Sequence, residues 1–387
     1  MSSHALLSPS SASRWLACTP SARLEEQFPD NSGEAAKEGT LAHELGEYLI
    51  KLRAGQIKKI EFNRVVKKIK ADPMYSAEMR EYAEGYAAFV LDRYMAQGDA
   101  SLQVEAKLDL TEYVPESFGT GDAIVVSDNT LDIIDLKYGK GVKVSAVENK
   151  QMMCYALGAL LLYDLVYDIQ TVRMTIYQPR LDNVSEWSMP ADELRTWGHN
   201  VLKALATQAF NGEGEYTPGE HCRFCRAKAQ CQALADENMK ITKYEFQEPA
   251  LLSEDEIADI LQQSSRVKSW LVSVEEYALS EAANNGRTWP GLKLVEGRSN
   301  RMYKDQDKVV EALRAAGYDD AIIYDRSLLG ITAMEKAISK TQFDAILGDL
   351  VIKPQGKLTL VPLSDKRPAY NGLDSAINDF KKEPIND

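Results

Sequence analysis

The sequence predicts a mixed α/β layer fold followed by a smaller module, and three observations carry that prediction. Helical patterns in the first hundred residues give way to β-branched runs, then to an apolar helix and a further strand. The runs at 123–126 and 131–136 flank Ser127-Asp128-Asn129-Thr130, which is hairpin-turn chemistry. After Cys231 the character shifts to a long, charged, amphipathic stretch. With 387 residues, 44% of them apolar and 27% charged, the chain can bury a sizeable core in two or three domains.

The elements follow in order. Ser8-Pro9-Ser10 opens a short capped helix over 8–17, and a longer helix covers 37–52. Tyr82, Tyr86, Phe89, Val90 and Tyr94 recur at helical spacing and predict a helix over 74–97 with these side chains in the core. A strand at 102–110 precedes the hairpin. An apolar helix follows over 145–163, then a strand over 171–178 and a helix over 191–210 that stops at Asn211-Gly212-Glu213-Gly214. A long amphipathic helix over 251–285 starts near Ser253 with acids in its first turns. From Trp289 a small α/β module is expected, with strands near 293–296 and 358–361. The resulting domains are 1–240, a helical connector 241–288, and the module 289–387.

The hairpin carries the chemistry. A two-residue loop pairing Ser127 with Thr130 and a four-residue loop closed by Val126 and Leu131 give the same register, which sets Asp122 opposite Asp135. Period-two alternation puts Lys137 on that face and Asp132 on the other. Opposed carboxylates repel unless a cation lies between them, which Lys137 or a divalent ion bound by oxygen ligands supplies. The plainer reading is an exposed hairpin edge with incidental charges. Two helical pairs add polar groups at four-residue spacing: His43 with Glu47, and Gln151 with Tyr155.

No apolar run approaches the ~20 residues of a membrane span, and the N-terminus lacks the basic start and apolar centre of a signal peptide. A cytosolic location is therefore expected, with the five cysteines serving as ligands or free thiols. The net charge of −13 argues against a protein that coats nucleic acid generally. Residues 51–70 depart from it, with eight basic residues against Glu61, as either a solvated helical face or a phosphate contact. Cys222-Arg223-Phe224-Cys225 is followed by Cys231, with Cys18 far upstream, a split unlike the paired C-x2-C of many structural zinc sites. Cys154 reads as a core thiol.

Four motifs in order, Gly39-Thr40-Leu41-Ala42-His43, Gly119-Thr120-Gly121-Asp122, Asp135-Leu136-Lys137 and Gln151 to Tyr155, resemble the nuclease domain of the RecB and AddB family. The resemblance covers roughly residues 8–235. It implies a PD-(D/E)XK restriction-endonuclease-like core, a mixed sheet flanked by helices, and hydrolysis of DNA phosphodiester bonds. By the same resemblance His43, Asp122, Asp135 and the Leu136 carbonyl would bind Mg²⁺ or Mn²⁺. Lys137 would orient or deprotonate water or stabilise developing charge, and Gln151 and Tyr155 would position substrate or ligands. Glu105 matches an acid that serves a second metal in related nucleases, or is a plain strand residue; Glu47 would hold His43. Cys18, Cys222, Cys225 and Cys231 look like the four ligands of a [4Fe–4S] cluster, with zinc on three of them plus His221 or Cys18 as the alternative.

The chain as a whole looks like a phage and prophage family of such nucleases. That implies an exonuclease in recombination or DNA end processing in the bacterial host cytosol. Its partners would be DNA and a phage single-strand annealing or single-strand-binding protein. The rival readings are a non-catalytic DNA-binding scaffold and a zinc or iron–sulfur protein without nuclease activity. In the last module Arg298, Arg301, Lys304, Lys353, Lys357, Lys366 and Arg367 are either DNA contacts or ordinary surface.

Overall fold

The computed structural model describes residues 5–29, 34–240, 252–295, 303–325 and 328–352. The chain divides into two compact units, Met1–Arg287 and Thr288–Asp387. Among the described residues no helix is long and apolar enough to cross a membrane.

The first unit is built on one five-stranded mixed sheet of order β1-β2-β3-β4-β5: β1 Ser101–Asp109, β2 Phe118–Val126, β3 Thr130–Leu136, β4 Thr171–Gln178 and β5 Asn183–Pro190. β1, β2 and β3 form an antiparallel meander, β4 lies parallel to β3, and β5 returns antiparallel. Of the two loop lengths the sequence leaves open, the β2–β3 turn takes the two-residue one over Asp128-Asn129, with Ser127 and Thr130 exchanging backbone bonds at 3.0 and 3.3 Å. Its ladder runs from Val126↔Leu131 to Ala123↔Ile134, the register counted outward from the turn.

The helices α1 Ala12–Ala17, α2 Ser21–Glu25, α3 Glu34–Arg53, α4 Lys59–Lys70 and α5 Ala77–Met95 precede the sheet. α6 Lys150–Tyr163 crosses between the parallel strands, as β-crossovers require. α7 Ala191–Trp197, α8 Lys203–Asn211, α9 Gln232–Met239 and α10 Glu254–Asn285 complete the unit. Two cores result. One joins α6 with α1, α7 and α8 to one sheet face through Trp15, Ile124, Ile133, Leu157 and Leu194. The other packs α3, α4 and α5 on the opposite face through Leu45, Phe62, Tyr86, Val125 and Ile134. Tyr86 and Val90 are fully buried, and Tyr82, Phe89 and Tyr94 pack at the edge of that core.

At one row the sheet abandons strict alternation. Leu102 and Val104 of β1 face α3–α5, whereas Leu108, of the same parity, faces α6. On β2, Ala123 and Val125 face α3–α5, but a Cβ on Gly121 would meet Ile124 and Leu108 on the α6 side. Both reversals fall between the pairs Val104↔Ala123 and Ala106↔Gly121, so Glu105 and Asp122 stand opposite each other without forming a ladder pair. Glu105 makes the turn with a left-handed φ of 54°, a conformation uncommon outside glycine.

Several expectations shift. α6 begins at Lys150 rather than 145, because Asn149 Oδ1 caps it by accepting from the Gln151 and Met152 amides at 3.1 and 3.2 Å. The helix expected over 191–210 is interrupted by a π-turn at Gly198–Leu202. β5 is a strand beyond those the sequence predicts. Asp132 points away from the Asp122 face, as expected, and is buried against Arg173 and Gln97.

The second unit is helical where described: α11 Gln306–Ala315, α12 Asp320–Ile323, α13 Ile331–Ile338 and α14 Lys340–Leu347. Arg314 clamps α11 to α12 through a two-pronged contact with Asp320 at 3.0 and 3.1 Å. Residues 293–295 form no strand; the apolar pair Leu292 and Leu294 is exposed, so no sheet face holds it. The strand expected at 358–361 lies outside the described residues, as do Arg298, Arg301, Lys353, Lys357, Lys366 and Arg367. Lys304 is described and exposed.

Candidate functional site

The row where alternation fails is also where the chain concentrates charge. Glu105, Asp122 and Asp135 occupy neighbouring positions on β1, β2 and β3, spaced like any adjacent strands at roughly 5 Å. The β2–β3 ladder stops one residue short of the Asp122–Asp135 pair. Instead, Asp122 Oδ2 accepts the Leu136 amide at 2.8 Å. Splaying the strands there opens Asp122 to α3, on which Ala42 and Leu45 are buried and His43 sits at the rim. His43 Nδ1 lies 3.2 Å from Asp122 Oδ2.

On the other side, Lys137 Nζ lies 2.8 Å from Asp135 Oδ2 and donates to Gln151 Oε1 at 3.0 Å. Gln151 is one turn from Tyr155 on α6 and donates its amide to the Tyr155 hydroxyl at 3.0 Å and to Asp135 Oδ1 at 3.4 Å. Among the described residues, Lys137 is the one cationic group set directly against this buried Asp135 oxygen. Each acid of the predicted opposed pair thus takes its own cation. His43 and Lys137 remain 29% and 28% exposed, so the site is open to solvent.

The electrostatics follow from that pairing. Burial would lower the His43 pKa, but the charge and hydrogen bond of Asp122, helped by Asp135, raise it to about 9. Burial works against the charged form of Asp122 too, and His43, Lys137 and the Leu136 amide outweigh it and hold the carboxyl below its ordinary value. Asp135 goes the other way, raised by burial and by Asp122 despite Lys137. Burial, with the Asp122 charge adding to it, pushes Glu105 up to about 7.

Such a set of perturbed acids beside a histidine suits a hard divalent cation. His43, Glu105 and Asp122 bring one ligand atom each within 4.8 Å of one another, the only such set among the described residues. Asp135 lies beside this set, engaged by Lys137. Leu136 contributes its N–H to Asp122. Glu47 does not hold His43: its carboxylate accepts from Lys51 one turn further along α3, the nearer cation on the same helix face. Gln178, at the end of β4, was not anticipated. Its side chain donates to the Gly139 and Val142 carbonyls at 2.9 and 2.8 Å and accepts the Val144 amide at 3.1 Å, pinning the loop after Lys137. The available signal was a polar residue ending an apolar strand just before Pro179.

A second constellation lies at the ends of the unit. Cys18, Cys222, Cys225 and Cys231 line one small cavity, together with Arg14 and His221. All are free thiols. Buried Glu25 ties the ends together, accepting from Arg14 at 2.7 Å and from the Arg226 amide at 2.7 Å. Cys222 Sγ accepts the Gly219 amide at 3.4 Å. The Cys225 thiol is pushed up to about 12 by burial and the Glu25 charge, so a bound cation would have to draw off its proton. No three of these sulfurs fall within 4.8 Å of one another, whereas a tetrahedral ion with ~2.3 Å bonds holds its sulfurs ~3.8 Å apart. His221 faces the Thr217 carbonyl at 2.9 Å through Nε2. Cys154 is buried in α6, away from this cavity.

These features define a mixed α/β protein whose five-stranded sheet, covered by helices, gathers acids, a histidine and a lysine where its ladders open. The chain belongs to the family described as "Protein of unknown function (DUF2800)", matched over residues 4–368. A solved structure titled "Crystal structure of SSO0001" is similar at 13% identity and a TM-score of 0.25, over 49% of this chain and 95% of that one. A likeness of that size carries no argument about either fold or function.

Proposed function

We propose that the chain is a Mg²⁺- or Mn²⁺-dependent deoxyribonuclease with a RecB/AddB-like PD-(D/E)XK core, hydrolysing phosphodiester bonds during phage recombination or DNA end processing. The observation that carries this reading is the convergence of His43, Glu105 and Asp122 within ligand reach, with Asp135 and Lys137 alongside. The donor set fits a hard cation: one imidazole and the carboxylate oxygens of Glu105 and Asp122, with Asp135 beside them.

When bound, such an ion supplies a lowered pKa for a water ligand and neutralises charge on the phosphate. His43, Glu105 and Asp122 would hold it, with Asp135 as the adjoining ligand. The Leu136 amide fixes the Asp122 carboxylate. Lys137 has three N–H donors and gives one to Gln151, which leaves donors to orient a water or meet a phosphate oxygen. Tyr155 and Asp135 hold the Gln151 amide, which fixes the orientation of its oxygen toward Lys137. For the cysteines, four thiolates on one cavity are what a [4Fe–4S] cluster needs, and that is the reading we carry forward.

Incubation of the full-length protein with end-labelled linear DNA, with and without Mn²⁺, tests the proposal. Degradation that needs the metal and disappears in Lys137→Ala supports it. Undiminished degradation in that variant removes Lys137 from the chemistry, and none in the wild type sinks the nuclease reading.

A further inference from the structure

We propose that the exposed basic face of α4 binds the phosphate backbone of duplex DNA. This deepens the nuclease reading by naming the surface that would hold its substrate, and it rests on that reading only for the purpose of the contact.

Three features of α4 point to a polyanion. Phe62, Val66 and Ile69 are buried in the core shared with α3 and α5, which fixes how the helix is turned. Lys58, Lys59, Arg64, Lys67, Lys68 and Lys70 are consequently all exposed, and none of them has an ion-pair partner among the described residues. The chain has 58 acids to 45 lysines and arginines, yet places only Glu61 on this helix.

Lys67, Lys68 and Lys70 sit in the last turn, where the helix dipole favours cations, but the rest of the pattern works against the helix. Arg64 is spaced three and four residues from Lys67 and Lys68, and Lys67 three from Lys70, so like charges face each other along one side. Lys58 and Lys59 stand at the N-terminal end, where the helix dipole disfavours cations, and Lys58 gives no side-chain cap. A face arranged for its own stability would alternate signs. This one is relieved by an anionic partner.

The dimensions suit DNA. Lys59 to Lys70 spans ~16 Å of helix, enough to follow about five phosphates of one strand at their ~3.4 Å axial spacing. α4 also shares a core with α3, the helix that carries His43, so the face and the candidate site belong to one packed assembly.

The test is fluorescence anisotropy of a labelled duplex of about 20 base pairs with full-length protein in EDTA, across a salt series. In Arg64→Gln/Lys67→Gln/Lys68→Gln the affinity should fall on the order of tenfold or more. The slope of log K against log salt should become shallower by about 2.7, three phosphate contacts at 0.9 each. Lys67→Arg/Lys68→Arg keeps the charge and should keep wild-type binding. If the triple variant melts at a lower temperature, Lys67→Gln alone should still reduce the slope by about 0.9. Unchanged affinity and slope, or a wild type that binds no duplex, overturns the proposal; so does loss of binding to anionic lipid vesicles with DNA binding intact. Mn²⁺-dependent hydrolysis of bis(p-nitrophenyl) phosphate, too small to reach α4, separates the two readings. Its absence in the wild type would count against the nuclease alone, while α4-dependent duplex binding would still support this face.

Discussion

Replacing Glu105 with glycine is expected to stabilise the metal-free protein while weakening its hold on a divalent cation. Glu105 holds a φ of 54°, which costs an L-residue about 1–2 kcal/mol. Glycine adopts it freely but loses about 0.5–1 kcal/mol through its more flexible unfolded chain. The net gain is about 0.5–1 kcal/mol before any relief of repulsion with Asp122, or a rise of about 2–4 °C per kcal/mol in the melting temperature of a unit of this size. The cation pulls the other way. At a hundredfold excess over its Kd, Mn²⁺ stabilises a binding protein by about 2.7 kcal/mol, and Glu105→Gly removes one of the three clustered ligands. Thermal melting with and without Mn²⁺ should show a higher melting temperature than wild type without metal and a smaller upward shift with it.

Glu105→Gln separates charge from backbone, because it keeps the strained φ. The folded pKa of Glu105 is raised from 4.5 to about 7 by burial and by Asp122. The metal-free wild type therefore loses stability as pH rises from about 4.5 through about 7, and the glutamine variant does not. Its advantage should grow over that window and stay level above it. A Glu105→Gly protein that melts lower without metal, or keeps the full metal shift, refutes the reasoning.

Three other outcomes are expected. In Gly119→Ala the new methyl would lie 2.7 Å from Tyr155 Cε1 and 2.9 Å from Pro9 Cγ, so urea unfolding should register a loss of about 1–3 kcal/mol. His43 must lose its proton to ligate, and its pKa is raised to about 9, so calorimetric Mn²⁺ affinity should strengthen as pH rises toward 9. Anaerobically purified protein should carry iron and acid-labile sulfide that Cys225→Ser abolishes and Cys154→Ser leaves intact; zinc without iron would contradict the cluster assignment.

The hairpin was the most legible part of the chain. Whether the turn at Asp128-Asn129 has two residues or four, counting outward gives the observed register up to Ala123↔Ile134. The counting fails one step later, since no sequence pattern says that Asp122 will take the Leu136 amide instead of a ladder partner. Glu105 was readable as an acid on the right strand, but its left-handed backbone was not, because glutamate carries no signal for positive φ. That residue turns β1 over at the row where β2 also reverses, and there a histidine from the α3–α5 layer meets the acids. β5 was not legible because, after buried Asn183, its residues alternate between half-buried and exposed, a weak version of the strand pattern. Glu47 was assigned to His43 by its four-residue spacing, which Lys51 satisfies equally well in the other direction.

The most direct measurement is a Mn²⁺ titration of the full-length protein followed by electron paramagnetic resonance, paired with digestion of linear DNA by the same samples. Tight Mn²⁺ binding by the wild type, lost in Asp122→Asn together with digestion, is predicted. In Lys137→Ala the binding should survive and the digestion should not. Wild-type protein that takes up no Mn²⁺, or an Asp122→Asn variant that binds and digests as the wild type does, would contradict a metal-dependent site at this row of the sheet.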